Sequence, residues 1–347
     1  MRRFACGASL GSCLLADYTV TMIIVTGGAG FIGSCLHAAL RRRGLQTVVV
    51  DRLRDGLKWR NLAAHAPDML IAPEDLPAFL KSEPNVEAVF HMGAISATTA
   101  RDGDLVWSTN VALSQFLWRW CAARDVRMIY ASSAATYGGA DRPDLFVDGL
   151  EGIDHLRPLN LYGWSKQAFD LWVKRTLVKG EAAPRQWAGL KFFNVYGPNE
   201  YHKGSMISVV KVKYDEVVKG HSARLFRSDI PGLADGAQKR DFIWVGDIVK
   251  IMLWLFDNPS VSGLFNCGTG VARTYLDLAH AVCDAAGRGR DVEFIDMPQS
   301  LKGQYQSYTC ADMSRLRDAG YDAPFTSLED GIGMYVRDYL SRPEPNL

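Results

Sequence analysis

The apolar run Met22-Ile23-Ile24-Val25 passes at once into Thr26-Gly27-Gly28-Ala29-Gly30-Phe31-Ile32-Gly33, and Ile32 to Arg43 then repeats its apolar residues at helical spacing. A strand, a glycine turn and a helix in that order predict the first βα unit of a parallel sheet that holds a dinucleotide. Gly27 permits the turn, Gly30 lets the backbone approach a diphosphate, and Gly33 lets helix and strand pack closely. The amides at the helix start, those of Phe31 and Ile32 among them, are then available to bind the diphosphate. A glycine-rich turn with no ligand is the alternative, and the strand before it and the helix after it argue against that.

A second strand, Gln46 to Val50, ends in Asp51, about 20 residues beyond the loop, where a carboxylate takes the adenosine ribose hydroxyls and favours NAD. Arg52, Arg54 and Lys58 crowd the same loop, and a cationic cluster there can hold the extra phosphate of NADP. Solvated surface charge is the competing account of those three. The expected cofactor is NADP, with NAD the other candidate.

Strand candidates Met22 to Val25, Gln46 to Val50, Val86 to His91, Val126 to Ala131 and Gly189 to Phe193 alternate with helical patterns, notably Leu105 to Arg124 and Leu161 to Val178. Such alternation predicts an α/β fold: a Rossmann-type doubly wound parallel sheet with ligand at the carboxyl ends of its strands, plus a smaller α/β substrate-binding lobe. The expected organisation is a leader over residues 1–21, a dinucleotide-binding domain over 22–198 with a return segment at about 241–267, and a substrate-binding domain from 199–240 and 268–347. Ser228 to Gly236 reads as a long loop. Phe242 to Val245 reads as a strand leading into a helix capped by Asp247.

Composition removes several classes of function. Thirty-nine basic and 38 acidic residues leave a net charge of +1, so no global field draws the chain to nucleic acid or anionic lipid. Seven cysteines, scattered and without a C-x-x-C pair, argue against a disulfide framework and a zinc site and fit a reducing cytoplasm. The histidines show no metal-ligand spacing, and no metal is expected. No apolar stretch reaches the ~20 residues that span a bilayer. Residues 1–21 carry Arg2-Arg3 and a glycine- and serine-interrupted apolar stretch, which reads as a disordered leader or a start assigned upstream of Met22 rather than a signal peptide.

The chemistry is expected after the strand Val126 to Ala131, where Ser132-Ser133-Ala134-Ala135-Thr136-Tyr137 puts small hydroxyls at the carboxyl end of the sheet. Further on, Tyr162 and Lys166 stand four apart in Leu161-Tyr162-Gly163-Trp164-Ser165-Lys166. A helix repeats every ~3.6 residues, so the two share a face, and a cation beside a phenol lowers its pKa. Oxidising an alcohol requires its proton to leave as hydride departs from carbon, which a hydroxyl relay and such a tyrosine would serve. Ser133, Tyr162 and Lys166 are the expected catalytic set. Taken singly, each hydroxyl could instead satisfy local backbone groups.

The glycine loop, the serine segment and the tyrosine-lysine pair together resemble the extended short-chain dehydrogenase/reductase superfamily of nucleotide-sugar epimerases and dehydratases. Asp55-Gly56-Leu57-Lys58, Asn194-Val195-Tyr196-Gly197-Pro198, His202-Lys203-Gly204-Ser205-Met206, Lys239-Arg240-Asp241-Phe242 and Leu301-Lys302-Gly303-Gln304-Tyr305-Gln306 are similar, within it, to the ADP-L-glycero-D-manno-heptose 6-epimerase family. The likeness runs from Met22 to Leu340, and the segments starting at His202 and Leu301 are its most specific parts. It implies redox epimerisation at carbon 6 of an ADP-heptose with retained NADP, serving assembly of the lipopolysaccharide core.

On the same resemblance Lys203 is a second proton-transfer group, since one base would be poorly placed for one of the two epimers. Asn194, His202, Ser205, Arg240 and Tyr305 line the sugar-nucleotide site, Asn110 and Ser96 lie on the nicotinamide side, and a homo-oligomer, a pentamer by likeness, is implied. Read without it, Lys203 is equally a surface lysine or a diphosphate ligand, and Arg240-Asp241 equally a local ion pair. The chain departs from the pattern at Pro73, at Met92 after His91, and in extra residues at 141–154 and 227–238. A 4-epimerase or 4,6-dehydratase of the superfamily is the nearest rival, although Ala134-Ala135-Thr136 offers no acidic pair for dehydration. A dinucleotide-sensing protein without turnover is a more distant one.

Overall fold

In the computed structural model, residues 21–54, 56–298 and 308–347 are described. The leader, Asp55 and the segment around Tyr305 lie outside them. Short apolar runs become strands and amphipathic stretches become helices, alternating except at β2–β3 and α3–α4: Met22–Thr26 (β1), Phe31–Arg42 (α1), Gln46–Val50 (β2), Met69–Ile71 (β3), Leu76–Lys81 (α2), Val86–His91 (β4), Gly103–Val106 (α3), Leu113–Ala123 (α4), Arg127–Ser133 (β5), Leu161–Val178 (α5) and Trp187–Phe192 (β6). There follow Asn194–Tyr196 (β7), Val209–Val218 (α6), Ala223–Phe226 (β8), Lys239–Trp244 (β9), Val245–Asp257 (α7), Gly263–Cys267 (β10), Ala272–Thr274 (β11), Tyr275–Ala285 (α8), Val292–Ile295 (β12), Ser314–Asp318 (α9) and Leu328–Tyr335 (α10).

Seven strands form one parallel sheet in the order β10-β6-β5-β4-β1-β2-β3, the doubly wound arrangement the alternation predicts. Successive strand residues face opposite sides. Accordingly Ile23, Val25, Phe90 and Ile129 join α1 and α7 in one core, whereas Ile24, Val89, Met128 and Tyr130 pack under Trp118 of α4 and Phe169 of α5 on the other face. Because β1 pairs with β2 on one side and β4 on the other, the winding reverses beside β1. A crevice opens at the carboxyl end of such a reversal, and the glycine loop lies there.

The remaining strands lie apart from this sheet. Strands β7, β9 and β11 make a three-stranded sheet and β8 pairs with β12. The strand around Phe242 is therefore not part of the large sheet, which β10 completes instead. Residue Asp247 is not the cap of α7, which starts at Val245. Its buried carboxylate sits in the first turn and accepts the Thr326 amide at 2.7 Å. The helical stretch around Leu113 differs too, because the described helix is interrupted by a π-turn at Trp107–Ala112. That wider turn coincides with Asn110 reaching inward to hydrogen-bond a neighbouring loop and helix, as π-bulges at functional sites do.

Candidate active site

Gly27 makes the turn and Gly33 the close helix packing expected of them. Gly27 has φ +66°, and a Cβ there would lie 2.6 Å from Gly93 on the turn after β4. A Cβ on Gly33 would stand 2.2 Å from the Gly27 carbonyl oxygen, so α1 packs against its own turn only because no side chain intervenes. At Gly30 the contact would be 3.0 Å. No side chain caps α1, which leaves its first amides directed at the crevice. This cradle fits a dinucleotide diphosphate.

Along the sheet ends runs a cleft of about 1010 Å³ that gathers Gly27, Gly30, Phe31, Ile32, Gly33, Asp51, Arg52, Arg54, Lys58, Ser96, Ser133, Tyr162, Lys166, Asn194, His202 and Lys203. At its β2 end the Asp51 carboxylate accepts the Ala29 amide at 2.9 Å and the Lys58 ammonium at 2.5 Å. Arg52 donates through Nε to Glu74 at 2.8 Å. Two of the three expected phosphate-binding cations thus already hold carboxylate partners.

The expected catalytic trio converges from two elements. Ser133 ends β5 and caps the short 3₁₀ turn Ala134–Tyr137, its hydroxyl accepting the Ala135 amide at 3.1 Å. The α5 helix starts at Asn160, whose side chain accepts the Gly163 amide at 2.9 Å, and so places Tyr162 on the cleft wall. A Cβ at Gly163 would lie 2.7 Å from the Ala135 carbonyl oxygen, which is why α5 can press against the serine turn. Lys166, one helical turn on, is 4 % exposed and donates to the Ala131 carbonyl at 2.7 Å.

Electrostatics here depart from the expectation that Lys166 lowers the Tyr162 pKa. Burial raises the phenol above its ordinary value, a hydrogen bond with Ser133 pulls it back, and Asp170 pushes it up again. Burial likewise brings the Lys166 ammonium down to about 8, opposed by Asp170. The Lys166 ammonium is directed at the Ala131 carbonyl, and burial dominates the Tyr162 shift.

Lys203 stands with Nζ 5.1 Å from the Phe31 ring centroid, its pKa lowered by burial and held up by Glu200. Half-buried His202 is lowered to about 4 by burial and the cations Lys58 and Lys203, and its Nδ1 lies 3.3 Å from the Asn61 amide. Asn194 accepts from the Thr309 hydroxyl at 3.3 Å, and Ser96 is exposed at the cleft.

Three expected contact residues are placed otherwise. Asn110 is buried, its side chain accepting the Ile95 amide at 2.8 Å and donating to the Ile95 carbonyl at 3.0 Å and the Ser165 hydroxyl at 2.9 Å. It braces the loop after β4 against α5 instead of lining the cleft. Ser205 is exposed in the 3₁₀ turn Gly204–Met206, and Met206 lines the cleft in its stead. Arg240, buried on β9, donates to the Lys239 carbonyl at 2.9 Å and lies over the Tyr275 ring. The neighbouring Asp241 gives its carboxylate to the amides of Thr269, Gly270 and Ala311.

Two buried groups behind the site carry no motif. His91 bridges the Thr26 and Ser114 hydroxyls at 2.6 and 2.8 Å, and burial with the Lys166 cation lowers it to about 3, so it stays neutral. Asp170 is eight residues beyond Tyr162 on the same face of α5, and accepts from Ser132 at 2.6 Å, Tyr130 at 3.1 Å and Lys191 at 3.2 Å. A carboxylate one turn beyond Lys166 and two beyond Tyr162, continuing their face of the helix, is the signal that could have found it.

Residues 23–268 match the model of the NAD dependent epimerase/dehydratase family, and the chain belongs to that family. It is similar to the ADP-L-glycero-D-manno-heptose-6-epimerase of Nitratidesulfovibrio vulgaris strain Hildenborough, 48 % identical over 94 % of this chain and 100 % of that protein. The enzyme of that name from Alkalilimnicola ehrlichii is also 48 % identical, over 93 % of this chain and 98 % of its own. Among solved structures, the Helicobacter pylori ADP-L-glycero-D-manno-heptose-6-epimerase superposes with TM-score 0.76 at 28 % identity, covering 94 % of this chain and 98 % of that one. Thermus thermophilus UDP-glucose 4-epimerase, solved in complex with NAD, gives TM-score 0.69 at 25 % identity over 90 % of this chain and 97 % of that one.

Proposed function

We propose that this chain is an isomerase interconverting ADP-D-glycero-D-manno-heptose and ADP-L-glycero-D-manno-heptose by transient oxidation at carbon 6. The observation that carries this is the convergence of Ser133, Tyr162 and Lys166 on the cleft that starts at the glycine loop, in a chain 48 % identical to enzymes so named. A nicotinamide dinucleotide is the cofactor. When bound and oxidised, its ring supplies the hydride acceptor and a positive charge beside the phenol.

The chain's own residues do the rest. The amides at the start of α1 hold the diphosphate. Ser133 takes a hydrogen bond from the reacting hydroxyl and hands its proton towards Tyr162, while Lys166 fixes the strand end and keeps a cation behind the phenol. Lys203, partly desolvated at the glycine-loop end, is the second proton-transfer group for the other epimer. Asn194, His202 and Ser96, on the cleft lining, bind the sugar nucleotide, and the family likeness adds Arg240 and Tyr305 to the substrate contacts. Assembly as a homo-oligomer, in the cytoplasm and in the service of lipopolysaccharide core synthesis, completes the proposal. Among the described residues, no helix is long and apolar enough to cross a membrane.

For the adenosine end we propose NADP, on the strength of Arg52, Arg54 and Lys58 lining one cleft wall. Binding requires a phosphate to draw Arg52 from Glu74 and Lys58 from Asp51. Dinucleotide released from the denatured protein should therefore weigh as NADP, and Arg52→Ala should lower the NADP-bound fraction with NAD binding little changed. Release of NAD alone would refute the phosphate role. The function itself is tested by turnover of the purified protein on ADP-heptose and on UDP-galactose. Conversion of the first and not the second is expected, and the reverse would make it a 4-epimerase.

A further inference from the structure

Behind the cleft, α5 and β6 bring together an ion pair that the chemistry above does not use. Asp170 and Lys191 are both fully shielded from solvent, with Lys191 Nζ 3.2 Å from the Asp170 carboxylate. Lys191 also donates to the Thr136 hydroxyl at 2.6 Å, and Thr136 in turn donates to the Ser133 carbonyl at 2.8 Å. The ammonium thereby ties α5 to the turn that presents Ser133. On α5 itself Tyr162, Lys166 and Asp170 follow one another at intervals of one turn.

An ion pair sealed from water is a poor source of stability, since desolvating both charges costs about as much as their attraction returns, and apolar residues of like volume often serve as well. Its position offers another role. We propose that the Asp170–Lys191 pair is the positioning device of this site, with Asp170 as the counter-charge behind Lys166 and Lys191 as the fastening between the Ser133 turn and the tyrosine helix. This rests on the reading of Tyr162 and Lys166 as the proton-transfer pair.

The charged and titratable neighbours are few. His91 on β4 faces Lys166 and is neutral; Tyr130 on β5 donates to Asp170; Tyr137 lies under Lys191 with its ring centroid 5.0 Å from Nζ; and Asp148 acts on Lys191 from farther off. Only Asp170 opposes the fall of the Lys166 pKa that burial produces, and it raises Tyr162 as well. Removing its charge should lower both.

The test is an NMR titration of the protein as purified, with lysine labelled at 13Cε and the Lys166 resonance assigned by its loss in Lys166→Met. In Asp170→Asn the midpoint, about 8 in the parent, should fall by roughly one pH unit, a tenfold loss of proton affinity. Lys191→Met disturbs the same buried cluster but keeps the carboxylate, so its Lys166 midpoint should hold or rise. The charge-neutral double variant Asp170→Asn/Lys191→Met should show the fall even if the single Asp170 variant does not fold. An unchanged midpoint in the foldable Asp170 variant, or an equal fall in Lys191→Met, overturns the proposal. In turnover, both limbs of the Asp170→Asn pH profile should move to lower pH, where a merely structural lesion would lower kcat without moving them. A parent protein that titrates as stated but converts no ADP-heptose would defeat the functional reading alone.

Discussion

Tyr162→Phe lowers kcat by on the order of 10²–10⁴, the usual worth of a positioned proton-transfer group, while the protein still purifies with dinucleotide. The substitution deletes one oxygen from a side chain on the cleft wall and leaves the ring that packs at the start of α5. The glycine turn at Gly27, Gly30 and Gly33, proposed to hold the diphosphate, lies on a different element and is untouched. Loss of turnover with retained nucleotide is thus the signature of a group that moves a proton. A dinucleotide sensor would keep its ligand response unchanged, and a Tyr162→Phe enzyme within tenfold of the parent would remove the tyrosine from the chemistry. The measurement is steady-state turnover of ADP-heptose beside the absorbance of bound nucleotide.

Gly33→Ala gives the opposite pattern. Its methyl group would arrive 2.2 Å from the Gly27 carbonyl oxygen, a backbone atom that cannot rotate away. Either the start of α1 or the Gly27 turn must shift, and both belong to the proposed diphosphate cradle. Overpacking of this kind costs about 1–3 kcal/mol, which thermal unfolding reads as several degrees in Tm. The variant should purify without dinucleotide. Gly103→Ala is the control: it begins α3, where an added Cβ meets nothing within 4 Å, and both stability and nucleotide content should match the parent. Retained nucleotide in Gly33→Ala at parental Tm would show that the close approach is not required.

The difference in what these positions do follows from what a linear sequence encodes. Strands β1, β2 and β4 are continuous apolar runs because both faces of a parallel sheet are covered, and their ends coincide with those expected within a residue. The α5 helix was legible from Leu161 to Val178 because its apolar residues recur at helical spacing; the cap at Asn160 emerged only in the structure. The three-residue edge strand β3 was not, being too short to show any period. The π-turn at Trp107–Ala112 escaped for a related reason: it widens one turn without altering composition.

Within the site, the convergence of the glycine turn, Ser133, Tyr162 and Lys166 on one cleft was legible because short local spacings set it. Asn110 and Arg240 were read as ligand contacts, yet Asn110 bonds Ile95 and Ser165, 15 and 55 residues away, and Arg240 donates to the neighbouring Lys239 carbonyl and lies over the Tyr275 ring. Polar residues that brace a site and those that touch its ligand look alike until the fold brings their partners near. The direction of the Tyr162 shift was missed for the same reason. Spacing places a lysine beside the tyrosine, whereas desolvation depends on everything that packs around both. Asp170 and Lys191, 21 residues apart, meet only because β6 lies next to β5.

The central claim is that the hydrogen at carbon 6 leaves and returns within the cleft without passing through solvent. Proton NMR of ADP-D-glycero-D-manno-heptose incubated with the protein in D₂O tests it most directly. The account predicts that the L-glycero epimer accumulates with protium retained at carbon 6 and that Tyr162→Phe abolishes the change. Deuterium at carbon 6 of the product, or a sugar whose configuration stays fixed in the presence of bound dinucleotide, would contradict it.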